Sequence, residues 1–340
     1  MRVYRTFPPA TPPTVGAIPE VPASKHSCLG SGTGKTAPVA DTHSIMLPSA
    51  KILAAIKKRQ MIDRQKTNAL RLVDGPGDGL PDLIIDDFAG RWLVQTLFKA
   101  KPSIERNLGF QSLYWKPLVK SAGASPQHLA GESISGPFAI LESGLAFEID
   151  FQAGFSPGIF LDQRLNREKL RTAARCKKVL NTFSYTCAFG VAAAAGGAFT
   201  TNIDLSRRYL DWGKRNYQLN QISAENHEFL VGDVFDWLRR FYKQRRKFDL
   251  VVLDPPTFSR DRKSKVFRVR DDYGRLVELA SECMDCEGVL LCCTNFRGVS
   301  AGEFLRILKT AIHAPYKAST GSMPPDFTGE RYLKSVWLQF

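Results

Sequence analysis

The stretch from Phe248 to Phe258, FDLVVLDPPTF, joins a continuous apolar run to an acid, two prolines and, two residues later, an aromatic ring. An uninterrupted apolar run is typical of a strand buried on both faces, as central parallel strands of an α/β sheet are. Asp254 then follows the strand at its carboxyl end, where open α/β sheets bind ligands. Pro255 and Pro256 fix two successive φ angles and favour an extended Asp254, which gives its carboxylate a defined direction. A simple Asp-Pro turn that only ends the strand is the alternative interpretation.

Strands and helices alternate on both sides of this stretch. Alternation of this kind predicts an α/β fold with a doubly wound, mostly parallel sheet. The expected strands lie at 179–182, 199–203, 228–231, 250–254 and 289–294, the expected helices at 191–195, 206–220, 234–242, 272–284 and 302–313, and a closing pair at 316–322 and 332–339.

Three parts of the chain are distinguished by composition. Residues 1–48 are rich in Pro, Ala, Ser, Thr and Gly and lack an apolar period, so we expect a disordered leader or linker. Residues 49–152 predict a small α+β domain, and residues 153–340 contain the α/β sheet. Within the small domain we expect a helix at 51–60, strands at 70–73, 83–86 and 92–98, a helix at 104–119, and a hairpin over 138–151 that turns at Ser143-Gly144.

The leader contains a glycine-rich run, Gly30 to Thr36, that is similar to a phosphate-binding loop. The first glycine of that motif is replaced by Leu29, and no strand precedes the run. We therefore do not expect a nucleoside triphosphate to bind there.

The charge of the chain points to a polyanionic partner. The chain has 47 Lys and Arg residues against 33 Asp and Glu, for a net charge of +14. It contains no run of about 18 uncharged apolar residues, so no membrane span is predicted. Two basic clusters flank the opening stretch, and a pair of clusters on one strand fits phosphate contacts better than solvated loops. The clusters are Arg239, Arg240, Lys243, Arg245, Arg246 and Lys247 before the strand, and Arg260, Arg262, Lys263, Lys265, Arg268 and Arg270 after it.

The seven cysteines are scattered, which favours a reducing compartment and hence the cytoplasm. Cys283 and Cys286 form a CxxC without a second pair, and the five histidines are isolated. The sequence therefore predicts no metal site.

The loop after the first predicted strand, Phe183 to Gly190, has no GxGxxG and predicts a cofactor without phosphates. Asp204 follows the second strand, at the separation where an acid meets ribose hydroxyls in such folds. Asp233 and Asp254 end the next two strands, and helix N-capping is the alternative role for Asp204 and Asp233. S-adenosylmethionine suits this row, with two carboxylates for ribose and adenine and a third for the substrate.

Several ordered motifs resemble class I S-adenosylmethionine-dependent methyltransferases of large-subunit ribosomal RNA, among them the bacterial methyltransferase I family and the C-terminal half of K/L. The likeness covers about residues 60 to 340. One departure is Cys187-Ala188, which stands where glycine is usual. The motifs are Asn181-Thr-Phe-Ser-Tyr-Thr, Asp204-Leu-Ser, Gly232-Asp-Val-Phe, Asp254-Pro-Pro-Thr-Phe, the FLDQRLNR run of Phe160 to Arg167, and the segment Arg71 to Gln95 that resembles the small preceding domain.

The resemblance implies roles for individual residues. A flipped or unpaired RNA base would stack on Phe258 and donate hydrogen bonds to Asp254 and the Pro255 carbonyl, while Asn295 reads its opposite edge. RNA phosphates would meet Arg260, Arg262, Lys263, Lys265 and Arg297. The catalytic set is Asp254, Pro255, Pro256, Phe258 and Asn295, and the cofactor set is Asp162, Arg164, Asn181, Phe183, Ser184, Tyr185, Asp204, Asp233 and Val234.

The presence or absence of a catalytic cysteine distinguishes methylation of cytosine carbon-5 from methylation of a base nitrogen. Cytosine carbon-5 must be activated by a thiol that adds to the ring, and in the cytosine branch that cysteine would stand at Asn295. Cys292 and Cys293 lie earlier, inside the predicted strand, so a guanine nitrogen is favoured over cytosine carbon-5. A non-catalytic RNA-binding module with the same fold is an alternative of another class. The sequence leaves the nucleotide and the oligomeric state open.

Overall fold

A computed structural model describes residues 44–119, 125–154, 156–260 and 266–340 of the chain. The run from Gly30 to Thr36 and most of the predicted leader lie outside the described residues. Ile45 and Met46, which the sequence analysis placed in the leader, form a short strand (β1). This strand pairs in parallel with Pro102–Ser103.

The first half of the described chain forms a five-stranded sheet and a hairpin. The sheet has the order β2-β3-β4-β6-β7, in which only the β4 and β6 pair is parallel. The hairpin of β8 and β9 turns at Ser143 and Gly144, as predicted. The elements are α1 (Ser49–Lys58), β2 (Ala69–Asp74), β3 (Leu83–Phe88), β4 (Arg91–Thr96), β5 (Pro102–Ser103), β6 (Ser112–Pro117), β7 (Gln127–Gly131), β8 (Phe138–Glu142) and β9 (Leu145–Ile149).

The helix expected at 104–119 is wrong. Only a 3-10 turn forms, over Arg106–Leu108, and Gly109 at φ 90° ends it in the left-handed region. The following residues enter β6, where all but the last are buried. The aromatic residues Tyr114 and Trp115 suit a buried strand between two neighbours, and this tertiary environment outweighs the local helical pattern.

The second half forms a seven-stranded sheet in the order β12-β11-β10-β13-β16-β18-β17. The first five strands run parallel, and β18 is antiparallel to both of its neighbours, which confirms the doubly wound α/β fold. The helices are α2 (Arg164–Ala173), α3 (Ala188–Ala195), α4 (Arg207–Leu219), α5 (Val234–Lys243), α6 (Val269–Glu282) and α7 (Ala301–Ala311). The strands are β10 (Lys178–Thr182), β11 (Phe199–Asp204), β12 (Glu228–Val231), β13 (Phe248–Leu253), β14 (Phe258–Arg260), β15 (Val266–Arg268), β16 (Met284–Thr294), β17 (Lys317–Thr320) and β18 (Lys334–Gln339).

Strand β13, the apolar run of the opening stretch, lies in the middle of this sheet and is buried on both faces. Val251 and Leu253 belong to the core under α5, α6 and α7. Leu250 and Val252 belong to the core on the other face, with Leu170 of α2. Alternate side chains of one strand thus enter two separate cores, as the apolar run predicts. Among the helices of the described ranges, none has the length and apolar character to cross a membrane.

Asp326 connects the two halves. Its side chain is fully buried, pairs with the Arg164 guanidinium and accepts the backbone N–H of Arg71 at 2.9 Å. Its backbone carbonyl accepts a hydrogen bond from Arg59 at 2.7 Å. The loop before β18 therefore holds α1 and β2 of the first half against α2 of the second.

Candidate methyl-transfer site

A cavity of about 880 Å³ opens at the carboxyl ends of β10 to β13. This is the edge at which the strand order reverses, because β10 lies between β11 and β13. Its volume is in the range of cofactor and small-molecule sites, and apolar side chains dominate its wall. The predicted residues that line it are Asp162, Phe183, Ser184, Tyr185, Asp204, Asp233, Val234, Asp254, Pro255, Pro256 and Asn295.

The loop after β10 has an unusual backbone. Phe183, Tyr185 and Cys187 adopt φ values of 49°, 48° and 60°, in the left-handed region that favours glycine. Ser184 between them is held by a hydrogen bond from its N–H to the Ile203 carbonyl at 2.9 Å. Non-glycine residues in this conformation carry strain, and such strain clusters at ligand sites.

Cys187 is fully buried against Gly213 of α4. A Cβ added at Gly213 would lie 2.4 Å from the Cys187 sulfur. The absence of a side chain at position 213 thus makes room for the Cys187 side chain.

Asp204, the last residue of β11, is fixed by backbone donors. Its carboxylate accepts the N–H of Tyr185 at 2.9 Å and the N–H of Ser206 at 2.8 Å. Partial burial raises the pKa of Asp204, against the effect of these two bonds. The N-cap of α4 is Ser206 and not Asp204, so the capping alternative for Asp204 is wrong. Its carboxylate lines the cavity and can also accept hydroxyl donors.

Asp233 caps a helix and also lies in the cavity wall. It is the N-cap of α5, where its side chain accepts the Asp236 N–H at 3.1 Å. It also lines the cavity, followed by Val234. The helix begins here because an aspartate accepts one of the first free N–H groups of a helix.

Asp254 directly follows β13 and also lines the cavity. Gln163 donates from Nε2 to its Oδ2 at 3.0 Å. Burial, together with the nearby Asp162 carboxylate, raises the pKa of Asp254 to about 7, although the Gln163 bond acts in the opposite direction. The Asp254 carboxyl therefore holds its proton to a higher pH than an ordinary aspartate does.

Asp162 is buried and accepts a hydrogen bond from the Tyr332 hydroxyl at 2.9 Å. Burial raises its pKa, while Tyr332 and two arginines oppose the shift. Two carboxyls thus share the floor of the cavity. A cationic ligand would relieve their mutual repulsion.

Asn295 directly follows β16 and lines the same cavity as Asp254. Its Oδ1 accepts the Thr257 hydroxyl at 2.5 Å, which leaves the amide nitrogen as the donor for a ligand. The backbone of Phe258 begins β14, which pairs with β15, but its side chain lies outside the described residues. The stacking role of Phe258 therefore stays a prediction.

Two predicted cofactor residues do not line the cavity. Asn181 is buried in β10 and donates to Asn202 at 2.9 Å, so its amide serves the contact with β11. Arg164 is buried and pairs with Asp326. The motif alone does not show that these two side chains point away from the cavity, because partners distant in the chain set the direction of each side chain.

The basic residues proposed for RNA are only partly described. Arg262, Lys263 and Lys265 lie outside the described residues, as does the side chain of Arg260. Arg297 is exposed, pairs with Glu330 at 2.9 Å and packs over the Tyr332 ring. It lies outside the cavity lining.

Sequence reasoning missed several cavity residues. Gln163 and Arg167 belong to the FLDQRLNR run, in which Asp162 and Arg164 were selected instead. Arg167 is buried, forms a two-bond pair with Glu142 at 2.6 and 2.7 Å, and donates to the Phe160 carbonyl at 2.8 Å. Arg167 lies four positions after Gln163, a spacing typical of one helix face, and this spacing was the available signal.

Cysteine chemistry at the site is limited by burial. Cys292 and Cys293 are fully buried in β16, and burial raises the pKa of both thiols. Within the described ranges, the cavity wall contains no cysteine, and no three His, Cys, Asp or Glu side chains are grouped to hold a metal ion. Cys283 of the CxxC is buried, whereas Cys286 is exposed.

A family model described as S-adenosylmethionine-dependent methyltransferase matches residues 71–329, more than half of the chain. The chain belongs to this family. It is a methyltransferase, and S-adenosylmethionine is its cofactor. A crystal structure titled "SMU.776, a putative methyltransferase complexed with SAH" superposes with a TM-score of 0.76 at 27% identity, over 88% of this chain and 83% of that one.

Curated relatives extend the likeness. The methyltransferase is 32% identical over 310 residues to the "putative ribosomal RNA large subunit methyltransferase YwbD" of Bacillus subtilis, which covers 84% of this chain and 78% of the relative. It is 37% identical over 196 residues to ribosomal RNA large subunit methyltransferase K of Neisseria meningitidis, covering 57% of this chain and 54% of that protein. The chain thus spans about half the length of the Neisseria relative.

The cavity suits this cofactor. Asp204 and Asp233 present carboxylates at the ends of adjacent strands for hydroxyl and amino donors, and Phe183, Val234 and Phe267 supply apolar surface. The loop after β10 turns sharply at three residues with left-handed φ angles and lacks the GxGxxG motif that binds phosphates, which suits a cofactor without phosphates. The acids of the cavity floor complement a positively charged sulfonium.

Proposed function

We propose that this methyltransferase modifies a base of large-subunit ribosomal RNA, with a guanine nitrogen as the favoured target. The observation that carries the choice of atom is the amide of Asn295 at the end of β16, with both neighbouring thiols buried away from the cavity. A base nitrogen with a free lone pair can attack the methyl group directly, so the enzyme has to orient the base and need not activate it covalently. Cytosine carbon-5 needs a thiolate.

The chain supplies orientation. When bound, S-adenosylmethionine supplies an electrophilic methyl group on sulfur. Asp254 and the Pro255 carbonyl accept hydrogen bonds from the amino edge of the base, and Asn295 donates to a carbonyl oxygen on it. Pro255 and Pro256 hold these acceptors in a fixed direction. Placement of the nucleophile then provides most of the acceleration.

The cytosine alternative requires a thiolate that adds to the ring, and Cys293 of β16, whose thiol is influenced by the Asp254 charge, is the candidate. Its sulfur lies 3.8 Å from the Gln163 amide oxygen inside the core. Burial and the neighbouring Asp254 raise its pKa well above the ordinary value, which opposes thiolate formation. A nucleophile in this state is poorly prepared for addition to a ring.

An RNA substrate is supported by charge and by the names of the relatives. The net charge is +14, and Arg239 and Arg240 of α5 line the cavity on the side of Asp233. Relatives in Bacillus subtilis and Neisseria meningitidis are named as ribosomal RNA large subunit methyltransferases. The two-domain division at residue 152, the phosphate contacts of Arg297 and a cytoplasmic location belong to the same proposal.

Mass spectrometry of nucleosides from large-subunit ribosomal RNA, with and without the gene, tests the proposal. We expect one methylated guanosine to disappear with the gene and to return with purified enzyme and cofactor. The Cys293→Ala enzyme is expected to retain its rate within a few-fold, with Cys292→Ala as the matched control. Loss of a 5-methylcytidine instead, together with an inactive Cys293→Ala, would establish the cytosine alternative.

A further inference from the structure

Asp254 is held by a chain of buried amides that leads away from the cavity. Trp337 of β18 donates from Nε1 to Asn166 Oδ1 at 3.2 Å. Asn166 donates from Nδ2 to Gln163 Oε1 at 2.6 Å, and Gln163 donates to Asp254 at 3.0 Å. Trp337, Asn166 and Gln163 are 4%, 2% and 3% exposed, so the two bonds that join them are shielded from water.

The direction of every bond in this chain follows from its first member. An indole N–H can only donate, so the amide oxygen of Asn166 must face Trp337. Its NH₂ group then faces Gln163 and fixes the Gln163 oxygen toward it, which turns the Gln163 NH₂ group toward Asp254. Asp254 is thereby offered a donor and must accept.

The groups around the two amides are close to them. Gly321 packs against the Asn166 amide, and a Cβ at Gly321 would lie 2.8 Å from Asn166 Oδ1. The thiol of Cys293 lies 3.8 Å from Gln163 Oε1, on the oxygen side of that amide. A flipped Gln163 would place its NH₂ against Asn166 and its oxygen against the Asp254 carboxylate.

We propose that Trp337, Asn166 and Gln163 form a relay that holds Asp254 as a hydrogen-bond acceptor, with Gln163 as a positioning residue for methyl transfer. The functional part of this inference rests on the proposed role of Asp254 in binding the target base. Without the relay, Asp254 loses a donor that stabilises its ionised form. The acceptor would then be protonated over a wider pH range.

Titration of the Asp254 carboxyl by ¹³C NMR, assigned with Asp254→Asn, tests the relay without RNA. In Gln163→Met, which keeps the size but removes the amide, the Asp254 pKa is expected to rise by about one to two pH units. Trp337→Phe keeps an aromatic ring in the core and is expected to shift it in the same direction by a smaller amount. Cys292→Ala is the matched control, because Cys292 is equally buried on the other face of β16 next to Tyr273.

The pH profile of RNA methylation provides the second readout. A relay predicts that the midpoint of the rate moves upward in parallel with the titration, whereas a purely structural defect lowers the rate equally at every pH. An unchanged Asp254 titration in both Gln163→Met and Trp337→Phe would overturn the relay. Shifted titrations in an enzyme that does not methylate RNA would support the relay and contradict the proposed function.

Discussion

The two sides of the cavity are positioned by different means. On the side proposed to bind the cofactor, formed by loop 183–187, Asp204 and Asp233, the acids accept hydrogen bonds from backbone N–H groups, and the loop has its own left-handed φ angles. On the side proposed to bind the base, called the transfer side and formed by Asp254, Gln163 and Asn295, polar groups are fixed by other side chains. Backbone contacts survive most substitutions, whereas a side-chain network fails when one member is lost. The two sides are therefore expected to differ in what a single substitution removes.

The largest effect is expected at Asp254. Asp254→Ala removes the acceptor for the base, and the methylation rate is expected to fall about 10²-fold or more. Cofactor affinity, measured by calorimetry with S-adenosylhomocysteine, is expected to change by no more than a few-fold. An equal loss of cofactor affinity would remove the distinction between the two sides.

Asp204→Ala is the converse test. Loss of a carboxylate that binds cofactor hydroxyls is expected to weaken S-adenosylhomocysteine binding about 10- to 100-fold. The rate at saturating cofactor is expected to change much less. Asp233→Ala provides a second variant on the same side, and retention of full affinity in both variants would contradict the assignment of these acids.

The strained loop is tested by a pair of glycine exchanges. Gly213→Ala places a methyl group 2.4 Å from the Cys187 sulfur and is expected to destabilise the fold by about 2 kcal/mol in denaturant unfolding. In a Cys187→Gly background both close contacts with the cysteine side chain are gone, the Thr186 carbonyl oxygen lies at an ordinary 3.4 Å, and the same change is expected to stabilise by about 0.5 to 1 kcal/mol. Additive effects in the double variant would show that the two positions are independent.

The smallest effect concerns stability and pH. The pKa of Asp254 rises from 3.8 to about 7 on folding, so the folded state binds the extra proton between these values and wild-type stability declines as pH rises through this window. Asp254→Asn lacks this dependence. It is expected to equal the wild type below pH 4 and to exceed it by about 1 to 2 kcal/mol above pH 7, less than the pKa shift alone implies because the Asp254 residue is half-buried and solvent screens its charge. A variant no more stable at high pH would show that Asp254 is not desolvated.

Sequence patterns located the strand ends accurately, because burial on both faces leaves a local signal in β13 and its neighbours. The row of Asp204, Asp233 and Asp254 followed from strand ends alone. The positions of Asn181 and Arg164 did not, since Asn202 and Asp326 set the direction of these side chains. Gln163 was missed for a similar reason: its amide bonds to Asp254, 91 residues later, and, through Asn166, is linked to Trp337.

The burial of Asp326 has a consequence for the order of events during synthesis. Its carboxylate accepts the N–H of Arg71 across 255 residues of chain, and its carbonyl accepts from Arg59 across 267. The first sheet therefore leaves the ribosome well before the loop that satisfies its buried polar groups. Contacts of such long range slow folding and leave intermediates exposed. We expect nascent chains that stop before Asp326 to be more sensitive to protease across α1 and β2 than chains that extend beyond β18.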